Sequence, residues 1–182
     1  MVINNTISLD HRDVLLRKKT GRNILDKRGE VDAEIEVSVV KGKHQKALWL
    51  LISILKDMAD QETGDRGFLI TGEERFLSPY HQGKTNFIRH INELKALVAN
   101  APDRDNVTRL LSQAKELSQR WLKEVADPEI DLRHQIPIDS DISKMREFQE
   151  FRKFASNGLG GIALDDLHKV LLQLKQYFEH AN

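Results

Sequence analysis

Apolar side chains recur at steps of three and four residues in four separate segments of this chain. The first is Leu48, Leu51, Leu55 and Met58, a stripe that Ile52 and Ala59 widen. The second is Phe76, Tyr80, Gly83, Phe87, Ile91, Leu94 and Val98. The third is Val107, Leu110, Ala114, Leu117, Trp121 and Val125, and the last is Leu164, Leu167, Leu171, Leu174, Phe178 and Ala181. Steps of three and four keep side chains on one face of an α-helix. Helices with one apolar face each must bury it against one another. The pattern therefore predicts an all-α, up-and-down four-helix bundle with long helices and a short extra helix before the last.

Punctuation sets the boundaries. A long helix is expected from about Val31, ending at Gly72, because glycine accepts the left-handed conformation at a helix C-terminus. Glu73 and Glu74 suit the positive end of the next helix, and Pro79 suits its first turn. That helix is expected to end at Asn100, Ala101 and Pro102, with Asp103 or Asp105 capping the third. Pro128 predicts a kink or local break. Ser140 or Asp141 can start a short helix through Phe154, with Met145, Phe148 and Phe151 on one side. Asn157, Gly158, Gly160 and Gly161 predict a break, and the last helix is expected from Ile162.

The start of the chain reads differently. Residues 1–30 form a basic lead-in or appended segment, and residues 31–182 form the bundle. Within the lead-in, Asp10 can cap a short helix carrying Val14, Leu15, Ile24 and Leu25, interrupted by Gly21 and Gly29. Its two readings are a frayed helix and a juxtamembrane or partner-binding basic segment.

Composition removes several function classes. The 182 residues carry 28 basic and 28 acidic side chains, so the chain has no general pull toward nucleic acid or an anionic membrane. No cysteine is present, which excludes disulfide scaffolds and thiolate zinc sites. No apolar run reaches the length of a membrane span, and Met1 to Asp10 lacks the basic start and apolar core of a signal peptide. The seven histidines show no zincin spacing and read as exposed. No phosphate-binding loop, serine elbow or Cys/His nucleophile pattern occurs. The expectation is therefore no catalytic residue, no cofactor and no metal site.

The stretch from Asp60 to Tyr80 carries the most information. Glu62 and Arg66 lie four residues apart and stack on one helix face. Extending the first stripe carries them inward or to its edge. Two readings follow: a partly buried ion pair that fixes helix register, or a sensor site where a ligand or subunit competes for the charges. Glu62, Thr63, Arg66, Gly67, Thr71, Gly72, Glu73, Phe76, Leu77, Pro79 and Tyr80 form one ordered string. It resembles the signature of the CHASE domain family of the third type. That signature is an acidic residue, Thr, an Arg-Gly pair, apolar residues, Thr-Gly, an acidic residue and Phe-Leu-x-Pro-Tyr. The segment from Trp121 through Pro128 to Arg133 is similar to the end of the family's third helix. The likeness runs from about Val37 to Phe178. One departure is Ile162 after Gly160 and Gly161, where the family commonly has Gly-Lys before the last helix.

The resemblance implies a sensory input domain of a bacterial histidine kinase, cyclase or chemoreceptor. It implies a parallel homodimer on the periplasmic or extracytoplasmic side, tied to the membrane through flanking segments. The stimulus, a small molecule or a protein, stays open. The alternative is a soluble intracellular bundle for protein–protein interaction, favoured by the basic lead-in and the missing signal. On either reading the motif residues act first as determinants of the fold, with Trp121 in the core, at a dimer contact or in a ligand wall.

Overall fold

The computed structural model describes residues 11–141 and 146–180, with side chains from residue 38 onward apart from 147, 154–157 and 159. The chain divides into two units, Met1–Lys43 and His44–Asn182. Among the described residues of the first unit the backbone is wholly helical, as the early part of helix α1, His11–Thr71. Gly21 and Gly29 lie inside that helix and do not interrupt it. A lone glycine costs about 1 kcal/mol relative to alanine in a helix interior. The Leu, Arg, Lys and Glu residues around these two are good helix formers, and the helix starts well before Val31. The cap expected at Asp10 lies outside the described residues.

The second unit is an all-α bundle with no strand among the described residues. After α1 come a 3-10 turn, Glu74–Phe76, and α2, Leu77–Val98. Helix α3, Arg104–Trp121, runs through a π-turn, Leu122–Ala126, into α4, Asp127–His134. The short α5, Arg146–Asn157, precedes the last helix, α6, Leu159–His180. The long members of the bundle are α1, α2, the α3–α4 run and α6. Their shared core includes Leu50, Ile54, Met58, Phe87, Ile91, Leu111, Ala114, Leu167, Leu171 and Leu174.

The stripes on α2, α3 and α6 face inward as the spacing predicts, with Ala181 of the last stripe outside the described residues. Helix α1 differs. Ile52 is 61% exposed and Ala59 is exposed, so neither widens the buried face. The buried line instead runs through Leu50, Ile54, Met58, Gln61, Asp65 and Phe68. A straight helix turns once in about 3.6 residues, so a strict alternation of three and four drifts off the core side.

Gly72 ends α1 with φ at 71°. Its N–H donates to the Phe68 carbonyl at 2.7 Å. Close approach explains Gly83 on α2, where a Cβ would stand 2.5 Å from the Asp57 carbonyl oxygen of α1. The break expected at Pro128 takes the form of the π-turn just before it. Proline has no N–H to give the carbonyl four residues back. The wide turn instead lets the Asp127 N–H reach the Leu122 carbonyl.

Two other boundaries move. Helix α5 is described from Arg146, its expected start after Ser140 or Asp141 and Met145 lying outside the described residues, and it runs past Phe154 through Asn157. The break after it is one bent residue, Gly158, and α6 is already helical at Leu159, ahead of the expected Ile162. Gly160 serves contact and not a turn: a Cβ there would meet Val125 Cγ2 at 2.7 Å and Glu124 Cβ at 2.8 Å.

Candidate functional site

The motif residues build the bend between α1 and α2. Thr71 Oγ1 donates to the Gly67 carbonyl at 2.8 Å and accepts the Glu73 N–H at 3.1 Å. Gly67 lies against the Phe76 ring, Leu77 is buried beyond it, Pro79 is half-buried and Thr63 is exposed. Tyr80 is buried, and its hydroxyl donates to Asp127 Oδ1 at 2.6 Å. Lys84 Nζ holds both oxygens of the same carboxylate, at 2.9 and 3.1 Å. Burial first, and then the bond to Asp127, pushes the Tyr80 phenol well above its usual range.

Arg133 closes the bend from beneath. It is 1% exposed, and its Nε donates to the Leu69 carbonyl at 3.0 Å. Nη1 donates to the Ile136 carbonyl at 3.0 Å and Nη2 to the Ile138 carbonyl at 3.3 Å. One guanidinium thus satisfies carbonyls at the end of α1 and in the turn after α4, groups that a helix end leaves without partners.

Glu62 and Arg66 do not pair with each other. Glu62 Oε1 meets His168 Nε2 of α6 at 2.8 Å. Arg66 is exposed, and no carboxylate among the described residues lies within ion-pair distance of it. The cross-helix imidazole is within reach of the half-buried Glu62, whereas Arg66 sits on the solvent side. The histidines also differ from expectation. His90 is buried, with Nδ1 2.6 Å from Asp57 Oδ2, so a charged or polar pair crosses from α1 to α2 inside the core. Burial raises the Asp57 carboxyl above its usual value, and the bond to His90 opposes that rise.

Beside Glu62 lies a cavity of about 290 Å³. Leu69, Trp121, Val125 and Leu164 form its apolar wall, and Asp65 and Glu129 place carboxylates in it. Arg66 and Arg152, both exposed, stand at its solvent side. Asp65 and Glu129 are each 6% exposed. Asp65 Oδ1 is buried without a hydrogen-bond partner. Glu129 has the guanidinium of Arg152, with Nε at 3.6 Å from Oε1. Burial, then the nearby Glu129 charge, pushes the Asp65 carboxyl up to about 7. Burial also raises Glu129, against the pull of Arg152. Trp121 is therefore both core and cavity wall.

Stability should record the buried Asp65. Its carboxyl titrates near 3.8 when free and about 7 when folded, so the folded chain holds the proton more tightly. Its favourable contribution is complete below pH 3.8 and is lost as pH rises through about 7. Asp65→Asn should remove that part of the pH dependence and stabilise the chain at pH 8 by about 1–2 kcal/mol. Urea unfolding of both proteins at pH 5 and pH 8 measures it. Equal losses between the two pH values in both proteins would contradict the assignment.

The sequence reading did not single out Asp65, Glu129, Arg152 or His168. Asp65 had a signal, since it continues the line Ile54, Met58, Gln61. Glu129 had none, because the π-turn changes which residues of that run face inward.

The fold and its cavity define an all-α bundle with room for a small ligand beside a helix bend. The CHASE3 domain family model matches residues 42–158, more than half of the chain, and the chain belongs to that family. CHASE3 is an extracytoplasmic sensory domain of signalling receptors. The matched segment is shorter than the likeness read from the sequence and leaves out all of α6. No curated protein and no solved structure matches the chain. Among the described residues no helix is long and apolar enough to cross a membrane.

Proposed function

We propose that this bundle is the signal-input domain of a bacterial membrane receptor whose output is a histidine kinase, a cyclase or a chemoreceptor signalling region. The observation that carries the reading is the family match over the segment that holds both the bend and most of the cavity. The domain acts by binding and not by catalysis. Its cavity lies where α1, the α3–α4 run and α6 meet, and the Glu62–His168 contact joins α1 to α6 at its edge. A ligand seated there changes how those two helices pack. Packed helices switch between discrete arrangements and do not deform continuously. In an up-and-down bundle the first and last helices are neighbours, so a shift between them can pass into flanking segments.

The active form is a homodimer. Trp49, Ile52, Lys56, Ala59, Thr63, Arg66 and Ile70 repeat steps of three and four on the outer side of α1. Trp49 is 57% exposed, Ile52 61% and Ile70 68%. A seam of that period suits a second copy of the same helix. Light scattering over a dilution series should give a dimer that persists at low concentration, and Ile52→Glu with Ile70→Glu should give a monomer. A monomer at every concentration counts against the paired form.

Input itself is tested by a chimera in which this chain replaces the sensory region of a receptor kinase with a readable output. Stimulus-dependent output supports the reading. A chimera locked at one output under every stimulus, with the domain folded, would favour the alternative of an interaction module that docks a partner protein.

A further inference from the structure

We propose that the cavity binds a small primary ammonium compound carrying a single positive charge, its head between Asp65 and Glu129 and its short apolar body against Trp121 and Leu69. The inference rests on the reading of the bundle as an input domain and names the ligand class of that site.

Four observations lead there. First, Asp65 Oδ1 is a buried acceptor with no donor. Buried polar atoms are almost always satisfied, and leaving one unmade is costly. A primary ammonium offers three donors and a charge of the right sign. Second, two buried carboxylates share the space, and the cation within ion-pair reach of them among the described residues is Arg152, 3.6 Å from Glu129 and itself exposed. Once Asp65 has lost its proton, the deep end therefore lacks one full positive charge. Third, the solvent side carries Arg66 and Arg152. They repel a second positive charge on the ligand, which favours one cationic head over a diamine. Fourth, the wall is apolar and the volume of about 290 Å³ suits a molecule of a few heavy atoms. A metal ion fits less well: among the described residues no group of three or more His, Cys, Asp or Glu side chains could hold one.

The groups that face Asp65 are Glu62 and Arg66 on α1, Tyr80 on α2, Asp127 and Glu129 on α4, Arg152 on α5 and Asp165 on α6. With the Asp65 carboxyl held up to about 7, a proton occupies it at pH 6 and has mostly left by pH 8. The ammonium head and that proton compete for the same oxygens. Affinity should therefore rise about tenfold from pH 6 to pH 8.

The experiment is a calorimetric titration of the full chain with n-butylammonium chloride, with n-butanol and sodium butyrate as size-matched controls. The expected result is saturable binding of n-butylammonium, at least about tenfold tighter than either control, since a charge-assisted bond to a buried carboxylate is the strong kind. Asp65→Asn keeps the shape and should cost about tenfold or more, and should flatten the pH dependence. Absence of saturable binding to the folded chain overturns the proposal. So does equal affinity for n-butanol, or an Asp65→Asn chain that binds as well as the parent. A chain that dimerises and drives the chimera yet ignores n-butylammonium overturns the ligand class alone. Ammonium binding with a chimera silent to every stimulus, n-butylammonium included, overturns the input reading alone.

Discussion

Arg133→Ala is expected to cost the bundle about 3–5 kcal/mol, from the lost packing of a large buried side chain and the carbonyls left without a donor. The side chain is 1% exposed and reaches carbonyls on two separate elements, Leu69 at the end of α1 and Ile136 and Ile138 after α4. Truncation leaves those acceptors facing a hole, and each unsatisfied buried group costs roughly 1–3 kcal/mol unless water replaces the donor. Midpoint temperature should fall by roughly 10 °C. Arg133→Lys should recover only part, because an ammonium is a point charge and cannot span both sides as the guanidinium fork does. Chemical denaturation of the three proteins decides this. A loss below about 1 kcal/mol for Arg133→Ala would mean that water fills the site and that the bend does not depend on the guanidinium.

Gly72→Ala is expected to cost about 2–4 kcal/mol, from two sources that can be separated. The backbone sits at φ 71°, where an L-residue is strained by about 1–2 kcal/mol. The new methyl would also run into Arg133 Nη2 and displace the guanidinium. Only the first cost survives once Arg133 is gone. In a double-mutant cycle, Gly72→Ala made in the Arg133→Ala background should therefore cost about 1–2 kcal/mol less than in the parent. Additive losses would show that the two positions do not share a contact and that the cost is all backbone.

The bundle was legible because its physics is periodic. On α2, α3 and α6 the spacing alone picks the buried residues, and Gly72 marks the end of α1. What the sequence hid was phase. On α1 the strict alternation from Leu48 leads to Glu62, whereas the buried line passes through Gln61 and Asp65. A pairing of Glu62 with Arg66 follows from local spacing, but His168 lies 106 residues away and only the fold brings it to Glu62. Gly160 and Gly161 look like a turn when read locally. Gly160 instead clears space for α6 against Glu124 and Val125, a demand made by another helix. Long-range contact decides each of these, and no local pattern encodes it.

The wide turn at Leu122–Ala126 works as a one-residue insertion in an otherwise regular helix. Before it, the inward positions are Val107, Leu110, Leu111, Ala114, Ser118 and Trp121; after it they are Ala126, Glu129, Ile130 and Arg133. An unbroken helix would carry the first series on through Val125 and Pro128 to Leu132. The extra residue turns everything downstream by about 100°. That rotation puts an acid and an arginine where a leucine would have faced the interior. The chain's two most consequential charges, one beneath the bend and one in the cavity, thus owe their inward aim to the wide turn that takes up a single added residue. Deleting one residue between Leu122 and Ala126 would therefore leave a regular helix with both charges still aimed inward, whereas closing the wide turn with every residue kept would point both at solvent and seal the site with hydrocarbon.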